Sequence, residues 1–380
     1  MLKERLSGML QVQKDIRKEL KRVHSGYFWG EQIDQMVFAL PEKKLDNIGV
    51  RGYFVRKVYD YIQAQAKMEG MNLRSDLPAH WFEVSLPFLA EVIISLQYYH
   101  NQILDRKGGV TTPETINSNL IAANLLRSFI NSYIRDTFGD DTETMLTVQN
   151  TVEKILIYVD VGQYMDKNWG TYECFVNGLP ENTWLGEEIE AFINSSVIDW
   201  IWKEIHSSGI PNEHERFVRL YLKRIYLTNA SLFILMANLF MHLLCYENKF
   251  SIIHFSAYCA ISLQLMNDNI DFAKPDTVAK CSSDDCSDLR NATITLPILY
   301  AFNSSQKSPI AKGFFNGNHI LSDVLEEVVF YIFNYSKPTS ENIAKNSYQY
   351  LDEKNIEYNN VIDLLSVIFS NKYYNYLAEN

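Results

Sequence analysis

Apolar residues recur with a period near 3.6 along almost the whole chain, and hairpin turn signals are scarce. The spacing of Leu2, Leu6, Leu10, Ile16, Leu20 and Val23 predicts an amphipathic first helix, ended by Ser25-Gly26. Further helices are predicted over 28–40, 50–68, 83–105, 113–136, 143–166, 186–206, 213–246, 250–271, 293–304, 319–334, 339–353 and 357–376. Breaks are expected at Leu40-Pro41, Gly70, Gly108-Gly109, from Gly170 to Pro180, at Gly209-Ile-Pro211, and along the polar run from Lys274 to Asp288. The segment from Leu232 to Leu244 is apolar nearly all round. It is too short for a membrane span and is broken by Asn238 and His242, so it reads as a central core helix, and no membrane span is predicted. With no short repeat and no low-complexity tract, the pattern predicts one all-α domain over 1–380 with a large shared core.

Composition narrows the function classes. The 380 residues include 46 acidic and 35 basic side chains, a formal charge of -11, and a pI near 5.3. That balance argues against nucleic-acid binding by broad phosphate neutralisation. An apolar share of 47% with 13% aromatics belongs to a folded chain and excludes a disordered one. Cys174, Cys245, Cys259, Cys281 and Cys286 make an odd number in a long chain, which predicts a reducing, cytoplasmic setting. Cys281-Ser-Ser-Asp-Asp-Cys286 lacks zinc spacing and a matching second pair. The N-terminal segment has no uninterrupted apolar run of the kind a signal peptide needs. No P-loop, dinucleotide fingerprint, Gly-x-Ser-x-Gly or His-Glu-x-x-His occurs.

Two predicted helix ends carry oxygen-rich clusters. In Gln97-Tyr-Tyr-His-Asn101-Gln-Ile-Leu-Asp105, Asn101 and Asp105 are four apart and share a face. In Gln264-Leu-Met-Asn267-Asp268-Asn-Ile-Asp271, Asn267 and Asp271 are four apart, and Asp268 and Asp271 three apart. Acids at a helix C-terminus oppose the macrodipole. Oxygen ligands on one face, followed by Lys or Arg, suit hard cations such as Mg²⁺ that in turn hold a phosphate; the plainer account is a solvated acidic helix end.

The second cluster, followed by Ser287-Asp-Leu-Arg290-Asn-Ala-Thr-Ile-Thr-Leu-Pro297, resembles the second aspartate-rich region of the trans-polyprenyl diphosphate synthases, Gln-x-x-Asp-Asp-x-x-Asp and then Ser-Asp-x-x-x-x-Lys-x-Thr-Leu-Pro. His100-Asn-Gln-Ile-Leu-Asp105 falls where that family's His-Asp-Asp-x-x-Asp belongs. Between them, Gly162-Gln163-Tyr-Met-Asp166 resembles its Gly-Gln-x-x-Asp segment, and Leu227-Thr228-Asn-Ala-Ser-Leu232 its Lys-Thr-x-x-Leu helix. The resemblance covers roughly 45–305, with 184–209 read as an insertion and helices continuing over 319–376. It implies the isoprenoid synthase fold, a single antiparallel helical bundle around a central cavity. It further implies Mg²⁺ as cofactor, an allylic prenyl diphosphate as substrate, and a homodimer or a heterodimer with a synthase. By position it implies Asn101, Asp105, Asn267, Asp268 and Asp271 as metal ligands, and Arg51, Arg106, Lys107, Lys274 and Arg290 as diphosphate contacts. Gln163 and Asp166 would orient the substrate or stabilise the cation, and Tyr98, Tyr99, Thr228, Phe233 and Gln264 would line the cavity.

The departures bear on the reaction. Asn101 and Gln102 stand where the first motif has two carboxylates, and Asn267 replaces the first Asp of the second. Each swap keeps an oxygen but removes a unit charge, so a dication is held less firmly. Ile48, Leu227 and Thr293 stand where the family has the lysines that hold isopentenyl diphosphate. A diphosphate needs converging cations. Three readings follow: a class I terpene synthase-like enzyme that ionises one allylic diphosphate, a prenyltransferase with a different acceptor, and a non-catalytic synthase-like subunit. The first is the leading expectation, because loss of the second-substrate cations is its signature.

Overall fold

The structure is a computed structural model that describes residues 2–26, 30–46, 50–105, 112–247, 249–272, 287–303 and 330–346, with single positions at 313 and 328. Among them the chain is helical, and the only pairing of extended backbone is one antiparallel bridge, Thr171 with Thr293. The helices are α1 (Leu2–Gly26), α2 (Glu31–Asp46), α3 (Val50–Glu69), α4 (Leu86–Asp105), α5 (Pro113–Phe138), α6 (Thr142–Asn168), α7 (Tyr172–Asn177), α8 (Glu187–Ile193), α9 (Ser196–Ser207), α10 (Glu215–Ile225), α11 (Ser231–Leu243), α12 (Lys249–Ile270), α13 (Ser287–Arg290), α14 (Leu296–Asn303) and α15 (Lys337–Asn346). The described residues form two compact units. One comprises residues up to Ile157 with Leu232–Ile253; the other comprises Tyr158–Ser231 and His254 onward through α15.

Apolar periodicity located most of these helices, and the departures have local causes. α2 runs through Pro41, where a break was expected, although Pro41 donates no backbone hydrogen bond. The predicted 186–206 helix is two helices, because Ser195 leaves helical dihedrals and its Oγ accepts the Val197 N–H as an N-cap. α7 lies where only a loop was expected; its N-cap is Thr171, whose Oγ1 accepts the Cys174 N–H at 3.3 Å. Most of 319–334, part of 339–353 and all of 357–376 lie outside the described residues.

In the first unit, α11 supplies much of the core. Phe233 lies 4.3 Å from Phe54, and Phe240 sits against Tyr59 and Phe82, which stack on each other at 5.1 Å. The helix running from Asn212 to Leu243 is long and apolar enough to cross a membrane, but 72% of its apolar window is buried in the protein. That agrees with the core-helix reading of Leu232–Leu244. α1, α3 and α4 meet at Gly52, where an added Cβ would lie 2.6 Å from Ile16 Cδ1 and 2.8 Å from the Pro87 carbonyl. Gly52 N–H, in the first turn of α3, is satisfied by the buried Glu91 of α4 at 2.6 Å. α1 is fixed by Glu19, which accepts from Arg22 at 2.7 and 2.9 Å and from the Tyr133 hydroxyl at 2.6 Å.

In the second unit, α6 packs closely on α10 at Gly162. A Cβ there would lie 2.6 Å from Thr228 Cγ2 and 3.1 Å from the Arg224 carbonyl. α10 passes into α11 through a π-helical turn, Tyr226–Ala230. Ser231 N–H bonds the Tyr226 carbonyl five residues back, and the bypassed Leu227 carbonyl accepts the Ser231 hydroxyl at 2.6 Å. A second π turn, Ile332–Ser336, leads into α15; there Ser336 donates to Asn269 of α12 at 2.5 Å, and Ser262 donates to the Ser340 carbonyl at 3.1 Å. The bridge, through Tyr172 N–H to Ala292 O and Ile294 N–H to Gly170 O, both at 2.8 Å, ties the chain after α6 to the segment before α14.

Two outcomes follow. Burial pushes the Glu19 carboxyl up, but hydrogen bonds from Arg22 and Tyr133 outweigh it and hold the pKa below its ordinary value. A depressed carboxylate pKa stabilises the fold above the unfolded value near 4.5 and loses that contribution as pH falls through the folded one. Glu19→Gln is therefore expected to lower stability by about 1–3 kcal/mol at pH 7, with the gap narrowing at lower pH in urea unfolding series. Gly162→Ala is expected to cost about 1–3 kcal/mol by wedging α6 from α10, read as a fall in the urea midpoint with unchanged slope.

Candidate functional site

The sequence-predicted residues divide between the units, and each group has its own geometry. In the first unit, Asn101 and Asp105 lie half-buried on the last turn of α4, with Gln102 beside them accepting from Asn119 at 3.0 Å. Tyr99 is buried, and its hydroxyl donates to the Met36 carbonyl at 2.7 Å. Tyr98 is half-buried, Phe233 packs on Phe54, and Arg51 is half-buried in the first turn of α3. Arg106 and Lys107 lie outside the described residues.

In the second unit the structure assembles a charged cluster from α6, α10 and α12. Asp268 is 4% exposed. Its Oδ2 accepts the Tyr221 hydroxyl at 2.5 Å, and its Oδ1 accepts Gln264 Nε2, one helical turn back, at 2.6 Å. Arg224, 6% exposed, donates from Nη1 to Asp166 Oδ1. Its guanidinium lies 4.8 Å from the centre of the Tyr221 ring, a cation–π contact made possible by the three-residue spacing on α10. Thr228 Oγ1 donates back to the Arg224 carbonyl at 3.1 Å. Asn267 is exposed, and Asp271, one turn on, is half-buried with Oδ2 accepting the Asp288 N–H at 2.9 Å.

Electrostatics follow from this packing. Burial pushes the Asp268 carboxyl up to about 6, against the pull of Arg224, Tyr221 and Gln264. Burial opposes the charge on Arg224, but Asp166 and Asp268 outweigh it and raise its pKa. Burial and the adjacent Asp268 push the Tyr221 hydroxyl well above its ordinary value. At neutral pH the cluster is a buried guanidinium near the Asp268 carboxylate, with the neutral Tyr221 phenol closing one side.

Sequence reasoning placed Asp166, Gln264 and Asp268 in the site, and the structure brings them together. It missed Tyr221 and Arg224, which hold them. The available signal was an Arg on an otherwise apolar helix face, three residues after a Tyr and four before Thr228. Gln163 is buried on α6. Lys274 and the Arg290 side chain lie outside the described residues. Among the described residues, no group of three or more His, Cys, Asp or Glu is arranged to hold a metal ion. Asn267 and Asp271 fit a hard cation as an amide and a carboxylate on one helix face. Asp268 is less available to such a site, since it is 4% exposed and a donor already engages each of its oxygens.

No protein-family model and no curated protein matches the chain. Solved structures do. A geranylgeranyl pyrophosphate synthetase from the archaeon Geoglobus acetivorans aligns with a TM-score of 0.62 at 13% identity, covering 98% of this chain and 99% of that one. A decaprenyl diphosphate synthase from Rhodobacter capsulatus aligns at 0.58 and 14% identity, covering 98% and 99%. A polyprenyl synthase from Caulobacter crescentus, complexed with calcium and isoprenyl diphosphate, aligns at 0.54 and 12% identity, covering 95% and 98%. Over nearly its full length, the chain has the all-α isoprenoid synthase fold of the polyprenyl diphosphate synthases.

Proposed function

We propose that the protein is a class I terpene synthase-like enzyme that takes a single allylic prenyl diphosphate. The C1–O bond breaks with its electron pair leaving on diphosphate, and the allylic cation cyclises or is quenched by proton loss or water. The observation that carries this reading is the state of two positions where the family resemblance puts lysines for a second diphosphate. Leu227 is 0% exposed inside the π turn, and Thr293 is 5% exposed in the bridge to Thr171. Neither presents a cation, so chain elongation with isopentenyl diphosphate lacks anchors there. Ile48 lies outside the described residues.

Asn267 and Asp271 in the second unit, and separately Asn101 and Asp105 at the end of α4 in the first, are each proposed by family position as Mg²⁺ ligands. A bound ion would neutralise diphosphate charge and favour its departure. The calcium and isoprenyl diphosphate complex of the Caulobacter crescentus protein supports that pairing of dication and ligand. Arg51, Arg106, Lys107, Lys274 and Arg290 are the proposed diphosphate contacts. Gln163 and Asp166 of α6 are proposed to orient the substrate or stabilise the cation, with Asp166 fixed by Arg224. A second reading, a non-catalytic subunit that pairs with an active synthase, is favoured by the burial of Asp268, 4% exposed with a donor on each oxygen.

Purified protein incubated with Mg²⁺ and C10, C15 and C20 allylic diphosphates is expected to release diphosphate with a hydrocarbon or alcohol, read by mass spectrometry. Adding isopentenyl diphosphate is expected to give no longer prenyl diphosphate. A lengthened product means a synthase proper. No turnover across the panel, alone or with an acceptor, transfers support to the subunit reading, and co-purification with an intact synthase then tests it.

A further inference from the structure

The end of α12 reads in sequence as one ligand set, yet its side chains have different surroundings. Asn267 is exposed, whereas Asp268 is buried with a donor on each oxygen, Tyr221 at 2.5 Å and Gln264 at 2.6 Å. Arg224 is buried between α6 and α12, joined to Asp166 and attracted by Asp268. We propose that Arg224 is a built-in counter-cation that withdraws Asp166 and Asp268 from metal binding, leaving Asn267 on the last turn of α12 and Asp271 just after it as the ligands of this segment. The assignment concerns the same helix end as the proposed function and deepens it, but it does not depend on turnover.

Three physical arguments support it. A dication at Asp268 would have to reach a carboxylate that is 4% exposed, compete with two short hydrogen bonds and approach a buried guanidinium that carries like charge. A guanidinium does not deprotonate in proteins, so this neutralisation is permanent, unlike that of a dissociable metal. The close approach that seats Arg224 also depends on a glycine: a Cβ at Gly162 would press Thr228 Cγ2 at 2.6 Å and the Arg224 carbonyl at 3.1 Å. Gly162, Asp166, Tyr221 and Arg224 thus act together to seat a fixed positive charge near Asp268.

Mn²⁺ binding to the full chain, measured by electron paramagnetic resonance with inorganic diphosphate as the probe ligand, tests the assignment. Asn267→Ala and Asp271→Ala are each expected to weaken Mn²⁺ binding by about tenfold or more. Asp268→Asn is expected to change it by less than about threefold while lowering the melting temperature. Arg224→Met leaves the half-buried Asp166 and the buried Asp268 without their cation and is expected to gain Mn²⁺ binding without diphosphate. Arg224→Lys and the double variant Arg224→Met/Asp268→Asn are expected to lack that gain. Loss of binding in Asp268→Asn as large as in Asp271→Ala, or absence of Mn²⁺ binding by the wild-type protein with diphosphate, overturns the proposal. If Arg224→Met does not fold, the Asp268→Asn comparison decides alone. Failure of the substrate panel with these Mn²⁺ results intact would reject the enzyme reading and leave the role of Arg224 standing.

Discussion

A guanidinium buried among carboxylates is the interaction on which the second unit is organised. Isolated, the Arg224 charge would be untenable in the interior, since desolvation costs several kcal/mol per ion even after relaxation. It is held because Asp166 comes from α6, Asp268 from α12, and the Tyr221 ring from its own helix α10. Removing one partner of such a pair costs about 3–5 kcal/mol, because the other is left buried and uncompensated. The three helices are therefore bound to one geometry. Asp268 cannot turn outward without breaking two hydrogen bonds, and α6 cannot retreat without exposing Arg224.

The π turn that follows belongs to the same constraint. An ordinary α-turn from Tyr226 to Ala230 would pair Ser231 N–H with Leu227 O. Here the widened turn passes that carbonyl over, and the fully buried Ser231 hydroxyl satisfies it instead. Inserting one residue into the helix rotates everything beyond it by roughly a quarter turn. Arg224 and Tyr221 keep their inward register in α10 on the near side of the turn.

Helix positions were largely legible in the chain because burial of an apolar stripe is a local, periodic signal. α3, α4, α5 and α6 begin and end within a few residues of the pattern. The errors came where local rules competed with packing. Pro41 marked a break, yet Val37 and Phe38 before it are buried, and their face holds the helix together. Asn194-Ser195 carried a capping signature that continuous periodicity on both sides obscured. The site was legible in its acids and opaque in its cations. Asp166 and Arg224 are 58 residues apart, and Tyr221 and Asp268 are 47 apart. No spacing rule connects residues at that distance. Basic side chains next to the acidic motifs drew notice, whereas the decisive one sat on an amphipathic helix as an ordinary arginine.

The charge balance gives the arrangement its functional sense. The chain carries a formal charge of -11, and the proposed ligand is itself a polyanion. Without Arg224, the buried Asp268 and the half-buried Asp166 would lie close together where Coulomb forces are weakly screened. An active site that meets this with metal ions must recruit them in each cycle. Arg224 meets part of it with a charge that never leaves. The cost is rigidity, since a carboxylate committed to an arginine is not free to follow a substrate. On the proposed reading, a site that handles one diphosphate needs fewer moving charges than one that must hold two, which matches uncharged side chains at Leu227 and Thr293 beside a fixed charge at Arg224.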